Sequence, residues 1–523
     1  MTDPTSATLA LPFDAVVFDV GGTLVAEAAP GTPVDRLEVT YLDVAPRVLA
    51  ALASAGLALG AMTDTSVMVE ADVRALLGAG GVSDLLTALV TSVDVGAAKP
   101  DPAGLREVLA RLGVTDPARA LFVGDRAVDR GAAEAAGCAF AMVDADRPLS
   151  VAVHRALRDG GATPVAAAAA LVGPLDVDAA ADADARQLRL TKPAGALGRL
   201  EPLGSQLAAI SGSVPPPVPE PVAVGVFAGD HGVLAEGVSS WPQEVTAQMI
   251  ANVAAGGAAV NVLARQVGAT VTVVAVGVAT PWPADAGVLD RNVRPGTDNL
   301  AEGPAMGVAD VRAALDVGAT VAAELVAGGA RALATGDMGI GNTTPSAALI
   351  ALLTDSPAAA VTGRGTGIDD PTLAAKVAVV ERAVARARAT ARDATTGPVD
   401  GVVALAEVGG LEHAALAGFL IGAAAARVPV VVDGVIAASA LLAAHAIVPG
   451  VLGYVVAGHR SVEPGASTAL THLGLVPLVD LDLRLGEGTG AVLAVPMVQA
   501  AARVLGEMAT FDEAGVTDKD PAG

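Results

Sequence analysis

The chain is poor in aromatic residues, with seven Phe, two Trp and two Tyr among 523 positions. Hydrophobic residues nevertheless make up 53% of it. The interior is therefore expected to be filled by Ala, Val and Leu, packed closely. There is one cysteine, Cys138, which excludes an intrachain disulfide framework and a CxxC metal knuckle. The six histidines form no HxxxH pair. Positive charge is also scarce: 32 Lys and Arg stand against 56 Asp and Glu, for a formal charge of −24. This balance leaves no electrostatic footprint for nucleic acid and disfavours an anionic membrane surface. The N-terminus has no basic region followed by an apolar run, so no signal peptide is expected and the location is read as cytoplasmic. Lysine occurs only at 99, 192, 376 and 519. Where Arg is the general cation, a retained Lys points to a need for a compact ammonium or a tunable pKa.

The length is enough for two to four structural units at about 150 residues each. Gly434 to Gly458 is long and apolar enough for a membrane test. Pro449-Gly450 splits it, and Asp433 and His459-Arg460 bound it, so it reads as a buried helix followed by a buried strand.

From Phe13 to about Val143, short apolar runs alternate with amphipathic segments, the pattern of a parallel α/β sheet. The runs Ala15–Phe18, Leu57–Met62 and Ala120–Val123 end in Asp19, Thr63-Asp64 and Gly124-Asp125. Residues 1–150 are read as one domain and 151–185 as an Ala-rich linker with room for a helix. A second α/β domain covers 186–515, and a polar tail covers 516–523.

Four pieces of the first domain carry chemistry: Asp19-Val20-Gly21-Gly22-Thr23, Thr63, Lys99-Pro100, and Gly124-Asp125 with Asp129. A strand-end carboxylate can attack phosphorus. A hydroxyl and a lysine can hold phosphoryl oxygens, and later carboxylates can hold Mg²⁺. In this order and position they resemble the haloacid dehalogenase (HAD) superfamily. The resemblance implies Asp19 as nucleophile, Thr63 and Lys99 as phosphate ligands, and Asp19, Asp125 and Asp129 around Mg²⁺. Gly21 departs from the pattern, because the family usually carries a second Asp there as general acid/base. The segments between the pieces are too short for a large cap. Two readings stay open, an active phosphatase and a non-catalytic scaffold.

The second domain is richer in glycine signals. They begin at Leu190 to Glu201, then Phe227 to Val233, then Gly237 to Met249. Gly336 to Pro345, Gly363 to Gly367 ahead of Lys376, and Glu407 to Gly410 follow. Gly458 to Ser461 and Arg484 to Ala491 are the last. Gly339 to Thr344 reads as a turn opening a helix, whose free N–H groups and hydroxyls suit a phosphate without P-loop order. Glu487 lies between two glycines, so a ligand can approach it closely. Partial desolvation there would raise its pKa towards that of a general base. Asp230-His231 has no serine nucleophile elbow beside it and reads as either site-lining or structural.

Together these segments resemble the nicotinate-nucleotide:dimethylbenzimidazole phosphoribosyltransferases. That resemblance implies a Rossmann-like parallel sheet with a smaller helical subdomain, a homodimer, small-molecule substrates and no cofactor for the transfer. The implied reaction moves phosphoribose from nicotinate mononucleotide to 5,6-dimethylbenzimidazole, giving α-ribazole 5′-phosphate and nicotinate. Adenine or another benzimidazole remains open as the base. By the same resemblance Glu487 removes the base's N–H proton, and Ser240, Trp241 and Gln248 line the base site. Gly339, Gly341, Asn342, Thr343 and Thr344 hold the phosphate, and Lys376 lies near the reacting ribose or a carboxylate. Asp337 stands where some members carry Glu, as a shorter hydrogen-bond acceptor. Removal of the product's 5′-phosphate is the chemistry expected of the first domain if it is active.

Overall fold

A computed structural model describes residues 9–27, 32, 36–42, 44–78, 81–392 and 399–517. Most of the polar tail, with Lys519, lies outside them. The chain divides into two compact units, Thr8–Pro174 and Leu175–Gly523.

The first unit holds a five-stranded sheet. Its strands are β1 (Ala15–Phe18), β2 (Ala58–Thr63), β3 (Ala88–Thr91), β4 (Ala120–Gly124) and β5 (Ala139–Met142). All pair in parallel, in the order β3-β2-β1-β4-β5. Every residue of β1 and β4 is buried, as continuous apolar runs covered on both faces should be. The chain walks outward from β1 to β3 and returns through β4. The order therefore switches between β1 and β4, and a crevice opens at their carboxyl ends. Asp19 and Asp125 follow those two strands directly.

The Leu175–Gly523 unit holds a six-stranded parallel sheet. It comprises β6 (Val222–Gly229), β7 (Thr270–Gly277), β8 (Leu289–Asp290), β9 (Ala332–Met338), β10 (Val430–Val432) and β11 (Val455–Ala457). The order is β11-β10-β9-β6-β7-β8, so its switch point lies between β6 and β9. The shortage of aromatics is met by close helix packing. In the helices Val308–Ala327 and Leu411–Ala425, a Cβ on Gly318 would overlap the Ala415 carbonyl, and one on Gly418 the Leu315 carbonyl. The two backbones touch, which only glycine permits.

Two readings of the sequence meet the structure here. The apolar stretch 434–458 forms the buried helix Val435–Ile447 and the strand β11. Glu244–Val267 and Thr489–Glu507 are the described stretches long and apolar enough to cross a membrane, and 56% of the second's most apolar window is buried. The stretch 151–185 is not an open linker. Helices Leu149–Asp159, Pro164–Ala169 and Val177–Arg189 run through it, and the units part between Pro174 and Leu175. Alanine is the strongest helix former, and Thr163 and Asp176 cap the second and third helices through Ala166 N–H and Ala179 N–H. Composition alone hid those caps inside an acidic, Ala-rich run.

Candidate functional site

In the larger unit β9 ends in Gly336-Asp337-Met338, and the chain turns through Gly339–Asn342 into the helix Thr343–Leu353. Gly341 is in the left-handed region (φ +89°), and a Cβ on Gly339 would sit 2.5 Å from the Gly229 carbonyl oxygen. Asn342 Nδ2 donates to Asp337 Oδ2 at 2.9 Å, and Ile340 N–H donates to the Thr246 hydroxyl at 3.1 Å. The loop is thus pinned at both ends, while Thr344 Oγ1 and Asp337 Oδ1 are buried without a hydrogen-bond partner. Buried polar atoms are rarely left so unless something else satisfies them. Burial pushes the Asp337 carboxyl well above the ordinary range, and the nearby Asp433, Glu412 and Glu487 charges add to this against the Asn342 hydrogen bond.

Glu487 arrives beside Asp337 on Gly486-Glu487-Gly488, three successive residues with φ of +80°, +64° and +97°. Such a run is costly for a side-chain-bearing residue and persists only where the surroundings hold it. The Gly486 Cα faces the Asp337 carboxylate. Asp433, directly after β10, accepts from Gly488 N–H at 3.1 Å and from Ala491 N–H at 2.9 Å. It thereby anchors the loop to the N-terminus of the helix Thr489–Glu507. Glu487 is 5% exposed, and its Oε2 has no partner. Burial raises its pKa and the Asp433 charge adds to this, although a Val260 backbone hydrogen bond opposes both.

Lys376, 1% exposed, places Nζ 2.6 Å from Thr343 Oγ1 and 3.2 Å from the Gly363 carbonyl. Burial brings its pKa down to about 8, less the pull of Glu463. Behind the loop lies a wholly buried polar chain. His231 Nε2 is 2.9 Å and His413 Nδ1 2.8 Å from Glu412 Oε1, and His413 Nε2 is 2.7 Å from Ser346 Oγ. Ser346 Oγ donates to the Asn342 carbonyl at 2.8 Å, so the chain ends on the loop itself. Burial raises the Glu412 pKa, but the two imidazoles outweigh it and hold the group below the usual carboxylate range.

In the smaller unit Asp19 and Lys99 are buried, and Lys99 Nζ bridges the carboxylates of Asp19 and Asp129, the latter at 2.6 Å. Thr63, at the end of β2, is buried. Asp129 Oδ2 also accepts from Arg126 N–H at 2.8 Å, and a Cβ on Gly124 would meet its carboxylate at 2.7 Å. Burial pushes the Asp19 carboxyl up to about 7, with the Asp129 and Asp125 charges adding and Lys99 opposing. Asp125 is raised too, by burial first. One oxygen from each of Asp19, Asp125 and Asp129 lies within 4.8 Å of the others. Three carboxylate oxygens so close, with one lysine between two of them, fit a hard divalent cation such as Mg²⁺.

Residues 172–516 match a family model described as phosphoribosyltransferase, and residues 33–137 match one described as haloacid dehalogenase-like hydrolase. A Salinispora tropica protein named nicotinate-nucleotide–dimethylbenzimidazole phosphoribosyltransferase is 58% identical over 364 residues, spanning 67% of this chain and 98% of that protein. A Chloroflexus aggregans protein of the same name is 52% identical over 351 residues, 67% of this chain and 97% of that protein. The solved structure of CobT from Thermus thermophilus is 48% identical, covers 65% of this chain and 100% of its own, and has a TM-score of 0.62. The chain belongs to the nicotinate-nucleotide–dimethylbenzimidazole phosphoribosyltransferase family.

Within the phosphoribosyltransferase unit the structure brings Asp337, Gly339, Gly341, Asn342, Thr343, Thr344, Lys376 and Glu487 to the carboxyl ends of β9 and its neighbours. Ser240, Trp241 and Gln248 are different. They lie on the turn into the helix Glu244–Ala254 and on that helix, all three are exposed, and Trp241 is 53% so. That helix joins the Gly339–Asn342 turn through Thr246, not through these three. Lys192 serves its own turn, pairing with Glu201 at 2.8 Å. Sequence reasoning missed Asp433, Glu412, His413 and Ser346. Asp433 had a readable signal, an apolar run ending in Asp-Gly like the other strand ends. The others sit on uniformly apolar helices, where no spacing marks them.

Proposed function

We propose that residues 175–517 transfer phosphoribose from nicotinate mononucleotide to 5,6-dimethylbenzimidazole, releasing nicotinate and α-ribazole 5′-phosphate. The observation that carries this is Glu487, a buried carboxylate with a free oxygen, held in a strained glycine loop beside the anion-binding turn. Its raised pKa suits a general base. Glu487 removes the benzimidazole N–H proton. The opposite ring nitrogen attacks C1′, the bond from C1′ to nicotinate breaks, and its electron pair leaves on the nicotinate nitrogen. Gly339 to Thr344 bind the 5′-phosphate at the helix N-terminus, and Lys376 lies near the reacting ribose or a carboxylate. Asp337 accepts a hydrogen bond from the bound nucleotide, and Ser240, Trp241 and Gln248 form the outer wall of the base site. The family resemblance supports a homodimer. Incubating the chain with nicotinate mononucleotide and a panel of bases, with product masses read out, tests the proposal and identifies the base. Glu487→Gln should retain mononucleotide binding and lose nicotinate release, and normal turnover in that variant would refute the base assignment.

A second activity is favoured by the Asp19–Lys99–Asp129 cluster. We propose that the smaller unit hydrolyses a phosphate monoester, with α-ribazole 5′-phosphate the first candidate. Asp19 attacks phosphorus, while Thr63 and Lys99 hold the phosphoryl oxygens. Mg²⁺, held by Asp19, Asp125 and Asp129, would neutralise phosphate charge when bound. Phosphate release from α-ribazole 5′-phosphate with Mg²⁺ tests it. Release no faster than in Asp19→Asn leaves the scaffold reading in its place.

A further inference from the structure

The smaller unit has its nucleophile but no acid/base at Gly21, two residues on. Among the described residues packing does not force that gap. Gly21 has no positive φ, and a Cβ there would meet one described atom within 4 Å, Glu27 Cγ at 4.0 Å. A carboxylate on residue 21 would therefore project into the space that the Glu27 side chain borders. The charge of Glu27 also helps to raise the Asp125 carboxyl, after burial and Asp129.

The backbone around Glu27 is held in place. Gly22 N–H donates to the Val25 carbonyl at 2.8 Å, and Leu24 and Val25 N–H donate back to the Val20 carbonyl at 2.9 and 3.0 Å. Gly21 bridges to Val25, and Val25 to Tyr41. Ala26 N–H donates to the Thr40 carbonyl at 2.8 Å. The chain leaving Asp19 thus folds back on itself, and residue 27 returns beside residue 21. Glu27 is exposed, so water and a leaving group can reach it.

We propose that Glu27 is the general acid/base of the phosphate-ester hydrolysis, replacing the group absent at Gly21. This rests on the phosphatase reading above. In the first half-reaction Asp19 attacks phosphorus, the ester P–O bond breaks, and the Glu27 carboxyl gives its proton to the departing alkoxide. In the second, the Glu27 carboxylate takes a proton from a water. That water attacks the aspartyl phosphate, breaks its P–O bond and frees Asp19 and inorganic phosphate.

Leaving groups separate this role from a structural one. An alkoxide needs the proton, whereas p-nitrophenolate does not. With Mg²⁺, Glu27→Gln should slow hydrolysis of α-ribazole 5′-phosphate by about 10²–10⁴-fold, the usual contribution of a positioned acid/base. With p-nitrophenyl phosphate the same variant should still give a burst of one p-nitrophenolate per chain. It should then stall with the phosphate trapped on Asp19, visible by mass spectrometry. Adding Gly21→Asp to Glu27→Gln should restore turnover, since no described atom but Glu27 Cγ comes within 4 Å of a Cβ at residue 21. Wild-type rates on both substrates in Glu27→Gln, while Asp19→Asn is dead, would overturn the assignment. If the wild type forms no phosphoenzyme and matches Asp19→Asn on both substrates, the phosphatase reading itself fails and the inference falls with it.

Discussion

Gly336→Ala is the most searching single perturbation of the larger site, because it leaves every proposed substrate-binding side chain unchanged and presses only on the Glu487 backbone and Val226. The added methyl would lie 2.5 Å from the Glu487 carbonyl oxygen, 2.9 Å from its carbonyl carbon and 2.9 Å from Val226 Cγ2. Real Cβ atoms do not come within 3.0 Å, so something must move by at least 3.0 − 2.5 = 0.5 Å. β9 cannot yield easily, since Gly336 is in register with Val226 of β6 and β10 pairs on the other side. Gly488 is tied to Asp433. The displacement therefore falls on Glu487, already in a left-handed conformation. A misplacement approaching 1 Å can cost about 10²-fold in rate, so nicotinate release should fall by roughly 10–10²-fold. Overpacking should also cost about 1–3 kcal/mol of stability. The assay is steady-state nicotinate release beside a thermal melt. Gly303→Ala, where a Cβ meets nothing within 4 Å, serves as the control and should match the wild type. A Gly336→Ala enzyme with kcat within twofold of wild type would show that the Glu487 backbone does not set the base, and the reasoning would fail.

Three further outcomes are expected. The pH profile of nicotinate release should be a bell: Glu487 works as a carboxylate that forms as pH rises through a raised pKa, and Lys376 works as an ammonium lost as pH rises through about 8. Glu487→Gln should remove what rate there is along with the acid limb, and Lys376→Met should abolish the alkaline limb; an alkaline limb unmoved in Lys376→Met refutes that assignment. Asp433→Ala leaves Gly488 and Ala491 N–H without their acceptor at a cost of about 1–3 kcal/mol each, so both the melting temperature and kcat should drop, and an unchanged kcat would separate Asp433 from the site. Lys99→Met strands the buried Asp19 and Asp129 carboxylates and should destabilise the smaller unit by about 3–5 kcal/mol in urea, with transferase kinetics retained; an unmoved midpoint would mean that the bridge is weak.

Much of this molecule was legible in its sequence. Short continuous apolar runs ending in Asp or Gly-Asp marked β1 and β4, because strands buried on both faces read as unbroken apolar stretches too short for a helix. Order and spacing then supplied the candidates for both sites, since a strand end fixes where its next residue must lie. The stretch 151–185 was read as a linker with room for one helix, and it holds three, because an Ala-rich acidic run looks the same whether its caps are satisfied or not. Trp241 shows the opposite limit. Sequence placed it beside the base, and the isolated chain leaves it half in water.

The sequence by itself determined the fold class, the transferase family and the catalytic candidates, because these depend on local periodicity and on motifs short enough to read directly. Only the tertiary structure decided what holds those residues. It set Asp433, 54 residues before Glu487, beneath the glycine loop, and it joined His231, Glu412, His413 and Ser346 into one buried chain. It also brought Glu27 back beside Gly21. Hydrogen bonds between distant segments have no sequence period, so they become visible only when the sheet has brought the strand ends together.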